Sequence, residues 1–171
     1  MNLAPLGIRL TLVDHGASAC GRTYRSRSGG FVDRPGSRPG DRQEKYPTLF
    51  EIEVNRNLPP LDRYATLAHE LGHLFCGHLG PGPEDAWPDR LSHRPAEDHA
   101  RNEVEAESIA YMVLKRLDPT VRMGDYITGH LGPGRQVPET VALNLTFKAA
   151  GLIIDMGKRR ISASRLRKPK K

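Results

Sequence analysis

Ile8, Leu10 and Leu12 alternate with Arg9 and Thr11, a period of two that predicts a strand with one buried face. A second alternation, Thr48, Phe50, Ile52 and Val54 against Leu49, Glu51, Glu53 and Asn55, predicts another and stops at Pro59-Pro60. Between them, residues 21–45 hold seven Arg or Lys, five Gly and two Pro, with only Gly30-Phe31-Val32 suggesting a strand, so a mobile basic loop or a loose hairpin is expected. From about 61 to 79 the apolar spacing becomes helical, with Asp62 after the prolines and Gly80-Pro81-Gly82-Pro83 as the stop. Residues 80–97, rich in Pro and carrying Trp87, read as a surface loop. A second helix opens at Asp98 or His99 and runs to about Leu117, before Asp118-Pro119. A short helix near 121–131 and a last one over 139–157, with Val141, Ala142, Leu145, Ala149, Leu152 and Met156 on one stripe, complete the pattern. The expected fold class is α+β: one domain over 1–157, with a small mixed or antiparallel sheet packed against the first two long helices.

The chain's formal charge of +6 changes this picture only at its end. Eight of the 26 basic residues lie in 158–171, which has no acid, leaving 18 against 20 acids in 1–157. The basicity therefore belongs to an expected solvated tail, able to make weak nucleic-acid contacts, rather than to the body. No stretch reaches the roughly 20 apolar residues of a membrane helix, so no membrane partner is expected. The Ala17-Ser18-Ala19-Cys20 stretch lacks a preceding basic flank and is not read as a secretory signal. Cys20 and Cys76 are too few for a disulfide framework and fit free thiols in the cytoplasm.

The chemistry sits in the first long helix, which contains His69-Glu70-Leu71-Gly72-His73, an H-E-x-x-H arrangement. Two His four residues apart stand about 40° apart and about 6 Å along a helix, so both rings can reach one metal. Glu70, about 100° round, suits a general base for a metal-bound water. Neighbours are mostly apolar or small, and two His and a Glu buried there without a partner would cost several kcal/mol, on the order of a buried charge. His78 falls about 180° from His69 on a continued helix and is expected to point away. Cys76 is expected as a small core residue. Gly72 and Gly77 weaken a helix, which suggests close approach of another backbone.

Zinc needs a third protein ligand. On the second helix, Ala106, Ile109, Ala110, Val113 and Leu117 form the apolar stripe, Glu103 and Glu107 are read on its buried side, and Glu105 on the opposite, solvated face. Glu103 is favoured as ligand, with Glu107 as the alternative. Tyr111, Tyr126, His93, His99 and His130 are candidates for the donor that stabilises a transition-state oxyanion, and none stands out.

Ala68-His69-Glu70-Leu71-Gly72-His73-Leu74 followed by Glu103-Val104-Glu105-Ala106-Glu107-Ser108-Ile109-Ala110 resembles the ImmA/IrrE metallopeptidases, with similarity to the peptidase domain of ArdC-type antirestriction proteins. The resemblance covers roughly 47–117. It implies a zincin-like fold, Zn2+ on His69, His73 and Glu103, and Glu70 as base. Glu107 stands where the family usually has Asn, and could instead hold a ligand ring or replace Glu103 as ligand. The helix that such domains commonly show before the first strand is also missing, which suggests a minimal domain or a partner over that edge. The leading expectation is a cytoplasmic zinc endopeptidase whose substrate, if the resemblance extends that far, is a protein such as a helix-turn-helix repressor. A non-catalytic DNA- or protein-binding module of the antirestriction kind, supported by the basic 21–45 segment and tail, is the alternative. A toxin or effector with the same chemistry is the third.

Overall fold

A computed structural model describes residues 2–17, 19–34, 42–80, 98–122 and 137–161. A 3-10 turn, Ala4–Leu6, leads into strand β1, Ile8–Val13, followed by β2, Gly21–Arg25, β3, Phe31–Arg34, β4, Glu44–Pro47, and β5, Phe50–Asn55. Three helices follow: α1, Pro60–Phe75, α2, His99–Leu117, and α3, Leu143–Lys158. The fold is α+β.

The main sheet is mixed, in the order β1-β5-β2, with β5 parallel to β1 and antiparallel to β2. Alternation in β5 behaves as its sequence requires, since Phe50, Ile52 and Val54 are all buried. In β1 the same alternation is only partly used: Ile8 is sealed, but Leu10 and Leu12 are 39% and 46% exposed. The reason is coverage, because α1 lies across β5 and β2 rather than over edge strand β1. Segment 21–45, expected as a mobile loop or loose hairpin, does hold an antiparallel pair, β3 with β4, whose first strand begins at the expected Phe31-Val32, and it also supplies β2 to the main sheet, which was not expected.

Pro60 occupies the first turn of α1, where a missing N–H costs nothing, and Asp62 adds a favourable charge there. The helix ends at Phe75, short of the expected 79. Gly77 adopts φ 74°, and the His78 N–H returns to the His73 carbonyl at 3.0 Å while the Gly77 N–H reaches Leu74 O at 3.1 Å. This paired, left-handed C-cap uses the glycine and turns the chain back. Gly72 serves packing: a β-carbon there would come within 3.1 Å of Ala106 Cα on α2. The expected close approach of a second helix is thus present at Gly72.

Asp98 caps α2 by accepting the Arg101 N–H at 3.0 Å. That helix packs on α1 and on α3. In α3 the buried positions are Thr146, Ala149, Ala150 and Ile153, so the inward stripe is offset from the expected one and shares Ala149 with it. The body continues to Ile161, which is 6% exposed and is the fourth residue of the stretch expected to be a tail. Asn2 fastens it there: its Nδ2 donates to Met156 O and Arg159 O, and its Oδ1 accepts from Ile161 N. The expected helix near 121–131 lies mostly outside the described residues, as does the 80–97 loop beyond Gly80.

Candidate metal centre

His69 and His73 lie one turn apart on α1, with their Nε2 atoms 2.9 Å from each other. From α2, Glu103 brings Oε2 to 3.5 Å from His69 Nε2 and Oε1 to 3.6 Å from His73 Nε2. Tetrahedral zinc with ligands at about 2.0–2.1 Å separates them by about 3.3 Å, so these spacings bracket what one ion needs. Two imidazoles and a carboxylate are also a donor set that zinc prefers. The residues present fit the ion.

Glu107 takes a different place. Its Oε1 lies 3.1 Å from His69 Nδ1, on the side of the ring away from His73 and Glu103. The direction of that contact falls outside hydrogen-bond geometry, and His69 Nδ1 is otherwise buried without a partner. Glu70 is buried, and its Oε1 faces the backbone of β2, where a β-carbon on Gly21 would be 3.3 Å away.

An open pocket of about 400 Å3 fronts the group, bordered by Gly21, Arg22 and Thr23 of β2 and by His99, Asn102 and Glu103 of α2. Around it, three carboxylates share a small, largely buried space. Burial chiefly pushes Glu70 up to about 7, with His69 opposing and Glu103 and Glu107 adding to the rise. Burial and then the neighbouring His69, His78 and His99 push His73 down to about 2. For His69, burial pulls the pKa down but Glu107, Glu70 and Glu103 outweigh it and the net direction is up. Among the described lining residues Arg22 is the one fixed cation, and its Nε is paired with Glu53 at 2.7 Å. The imbalance favours a bound cation.

Several expected residues fall elsewhere. Glu105, read as a solvated acid, is 0% exposed. It stands about 100° from the Ala106 side of the stripe, as Glu107 does on the other side, and burial by both α1 and α3 widens the covered arc of α2 beyond a single stripe. His78, expected to point away, bonds His73 through the two Nδ1 atoms at 2.9 Å, because the Gly77 turn breaks the helix on which that expectation rested. Tyr111 is half-buried under Lys115 and does not line the pocket. His99 does line it, with Nδ1 3.5 Å from Glu103 Oε1 and a side chain 80% exposed. Tyr126, His130 and His93 lie outside the described residues. Asn102 and the β2 rim had no motif to announce them.

Residues 37–114 match the family model Peptidase_M78, described as an IrrE N-terminal-like domain. The match supports the ImmA/IrrE resemblance read from the motifs. No curated protein and no solved structure matches the chain.

Proposed function

We propose, on the match of residues 37–114 to an IrrE N-terminal-like peptidase model, that the protein is a zinc-dependent endopeptidase that hydrolyses a peptide bond in a protein substrate. The observation that carries this reading is the convergence of His69 Nε2 and His73 Nε2, 2.9 Å apart, on the Glu103 carboxylate, whose Oε2 lies 3.5 Å from the first and Oε1 3.6 Å from the second. Those three residues would hold the metal, and Glu107 would orient His69 through Nδ1. When bound there, zinc would supply Lewis-acid polarisation of the carbonyl and lower the pKa of a water. Glu70, adjacent to a ligand but outside the ligand set, would be the group that accepts a proton from water and returns it to the leaving amine. Its metal-free pKa of about 7 reflects burial among carboxylates, and a cation beside it lowers that value towards the base form.

The substrate chain would lie along β2, an edge strand of its sheet, whose residues 21–23 rim the pocket. A helix-turn-helix repressor is the proposed substrate class on the family resemblance alone. The binding-module alternative rests on the basic segment and on the tail, which beyond 161 lies outside the described residues, and three arginines of the segment make contacts within the fold. Arg22 pairs with Glu53, Arg25 donates to Gly80 O, and Arg34 donates to Asn2 and Ile161 O. The proposed setting is the cytoplasm, and no helix among the described residues is long and apolar enough to cross a membrane.

The test is zinc content and repressor cleavage in wild type beside Glu70→Gln. Near-stoichiometric zinc is expected in both, with turnover reduced at least about 10²-fold in the variant. Wild type free of zinc after metal reconstitution, or full cleavage by the variant, refutes the reading.

A further inference from the structure

His78 and Glu105 are 6% and 0% exposed, and the ligand set does not include either. They form a line of polar contacts that ends on a ligand. Glu105 Oε2 lies 2.8 Å from His78 Nε2, and His78 Nδ1 lies 2.9 Å from His73 Nδ1. At the far end, Glu105 Oε1 accepts the Ala142 N–H at 2.8 Å. Ala142 is the N-cap of α3, so the buried carboxylate sits at the positive end of that helix.

Chemistry sets the direction of the line. The Ala142 N–H donates to Glu105 Oε1, which holds the carboxylate as an acceptor, so His78 Nε2–H is the donor to Oε2. A neutral His78 then carries its lone pair on Nδ1 and must accept there. His73 Nδ1–H is the donor, which leaves the His73 lone pair on Nε2, facing His69 and Glu103. We infer that His78 and Glu105 are positioning residues that lock His73 in the one tautomer able to ligate through Nε2. The purpose of the lock rests on the metallopeptidase reading; its geometry does not.

Cys76, His78 and Glu105 also present ligand atoms within 4.8 Å of one another. A cation there is incompatible with the first site. Metal on His78 Nε2 would move that ring's proton to Nδ1, oblige His73 Nδ1 to accept it, and leave a proton on His73 Nε2. The two occupancies exclude each other.

Glu105→Gln separates tautomer control from shape. The amide is nearly isosteric, and the Ala142 N–H holds its oxygen at the Oε1 position, so its NH2 faces His78 Nε2 and reverses every donor in the line. Two measurements read the result: ring-nitrogen NMR of His73 in metal-free protein at about pH 8, and zinc affinity by chelator competition. Wild type is expected to show His73 protonated on Nδ1. The variant is expected to show it on Nε2, with zinc bound about 10–100-fold more weakly, the usual effect of losing a ligand's hydrogen-bond partner. Wild-type His73 protonated on Nε2 overturns the inference, as does a folded variant whose zinc affinity stays within threefold of wild type. If the variant fails to fold, the wild-type tautomer decides alone. A wild type that shows the Nδ1 tautomer yet binds no zinc supports the lock and refutes the metallopeptidase reading instead.

Discussion

Glu70 is buried at the centre, and burial sets its protonation. Without a cation its carboxyl is held up to about 7 against an ordinary 4.5, chiefly by burial. A raised folded pKa contributes stability that is full below the unfolded value and lost as pH rises through the folded one. The metal-free protein should therefore lose stability from this group between about pH 4.5 and 7. Glu70→Gln cannot titrate, so in chelator-treated samples it should gain on wild type by about 1–3 kcal/mol more at pH 8 than at pH 5, following the size of the shift. Thermal melts of both proteins at the two pH values check this, and a pH-independent difference would show that Glu70 is not strained. Asp118 and Asp14, whose pKa values are lowered by local hydrogen bonds, have the opposite sign but are exposed and titrate lower.

At the scale of elements, the pieces that carry the chemistry were legible because their signals are local. The His69 to His73 spacing needs only a helical turn, and the Asp98 cap and Pro119 bracket α2 without reference to the rest of the chain. What the sequence hid depends on third neighbours. Glu105 reads as a solvated acid until α3 is known to pack beside it, and β2 reads as a loop until β5 offers an antiparallel edge. His78 was misplaced by a single dihedral. Gly77→Ala would put an L side chain at φ 74°, costing about 1–2 kcal/mol, and would disturb the turn that returns His78 to His73. A lower melting temperature and weaker zinc binding are expected together, and chelator competition with a thermal melt would show whether they are linked. A Gly72→Val change acts on packing instead: the extra carbons meet Ala106 and Ile109, so α1 and α2 must separate. Destabilisation of about 1–3 kcal/mol is expected from the overpacking, measured by denaturant unfolding.

The molecule as a whole is closed by contacts that no periodicity could reveal. Segment 158–171 carries eight basic residues and reads as solvated throughout, yet Ile161 is buried because a residue at the opposite end of the sequence pairs with its backbone. Asn2 is the hub: its amide donates twice to carbonyls at the end of α3, and its oxygen accepts from Ile161 N and from Arg34 of β3. It thus ties α3 to the 3-10 turn beside β1 and to the β3–β4 pair. Each buried backbone group that loses such a partner costs about 1–3 kcal/mol. Asn2→Ala should therefore destabilise by about 2–4 kcal/mol, because several groups lose their partner at once. Asn2→Asp keeps the acceptor for Ile161 N and Arg34 but turns a carboxylate oxygen onto two carbonyl oxygens, so it should destabilise at least as much as Asn2→Ala. Neither substitution touches the His69, His73 and Glu103 group, and zinc affinity of the folded fraction should be that of wild type. Denaturant unfolding with chelator competition reads both quantities, and Asn2→Ala as stable as wild type would mean that the closure at Ile161 is not part of the cooperative unit.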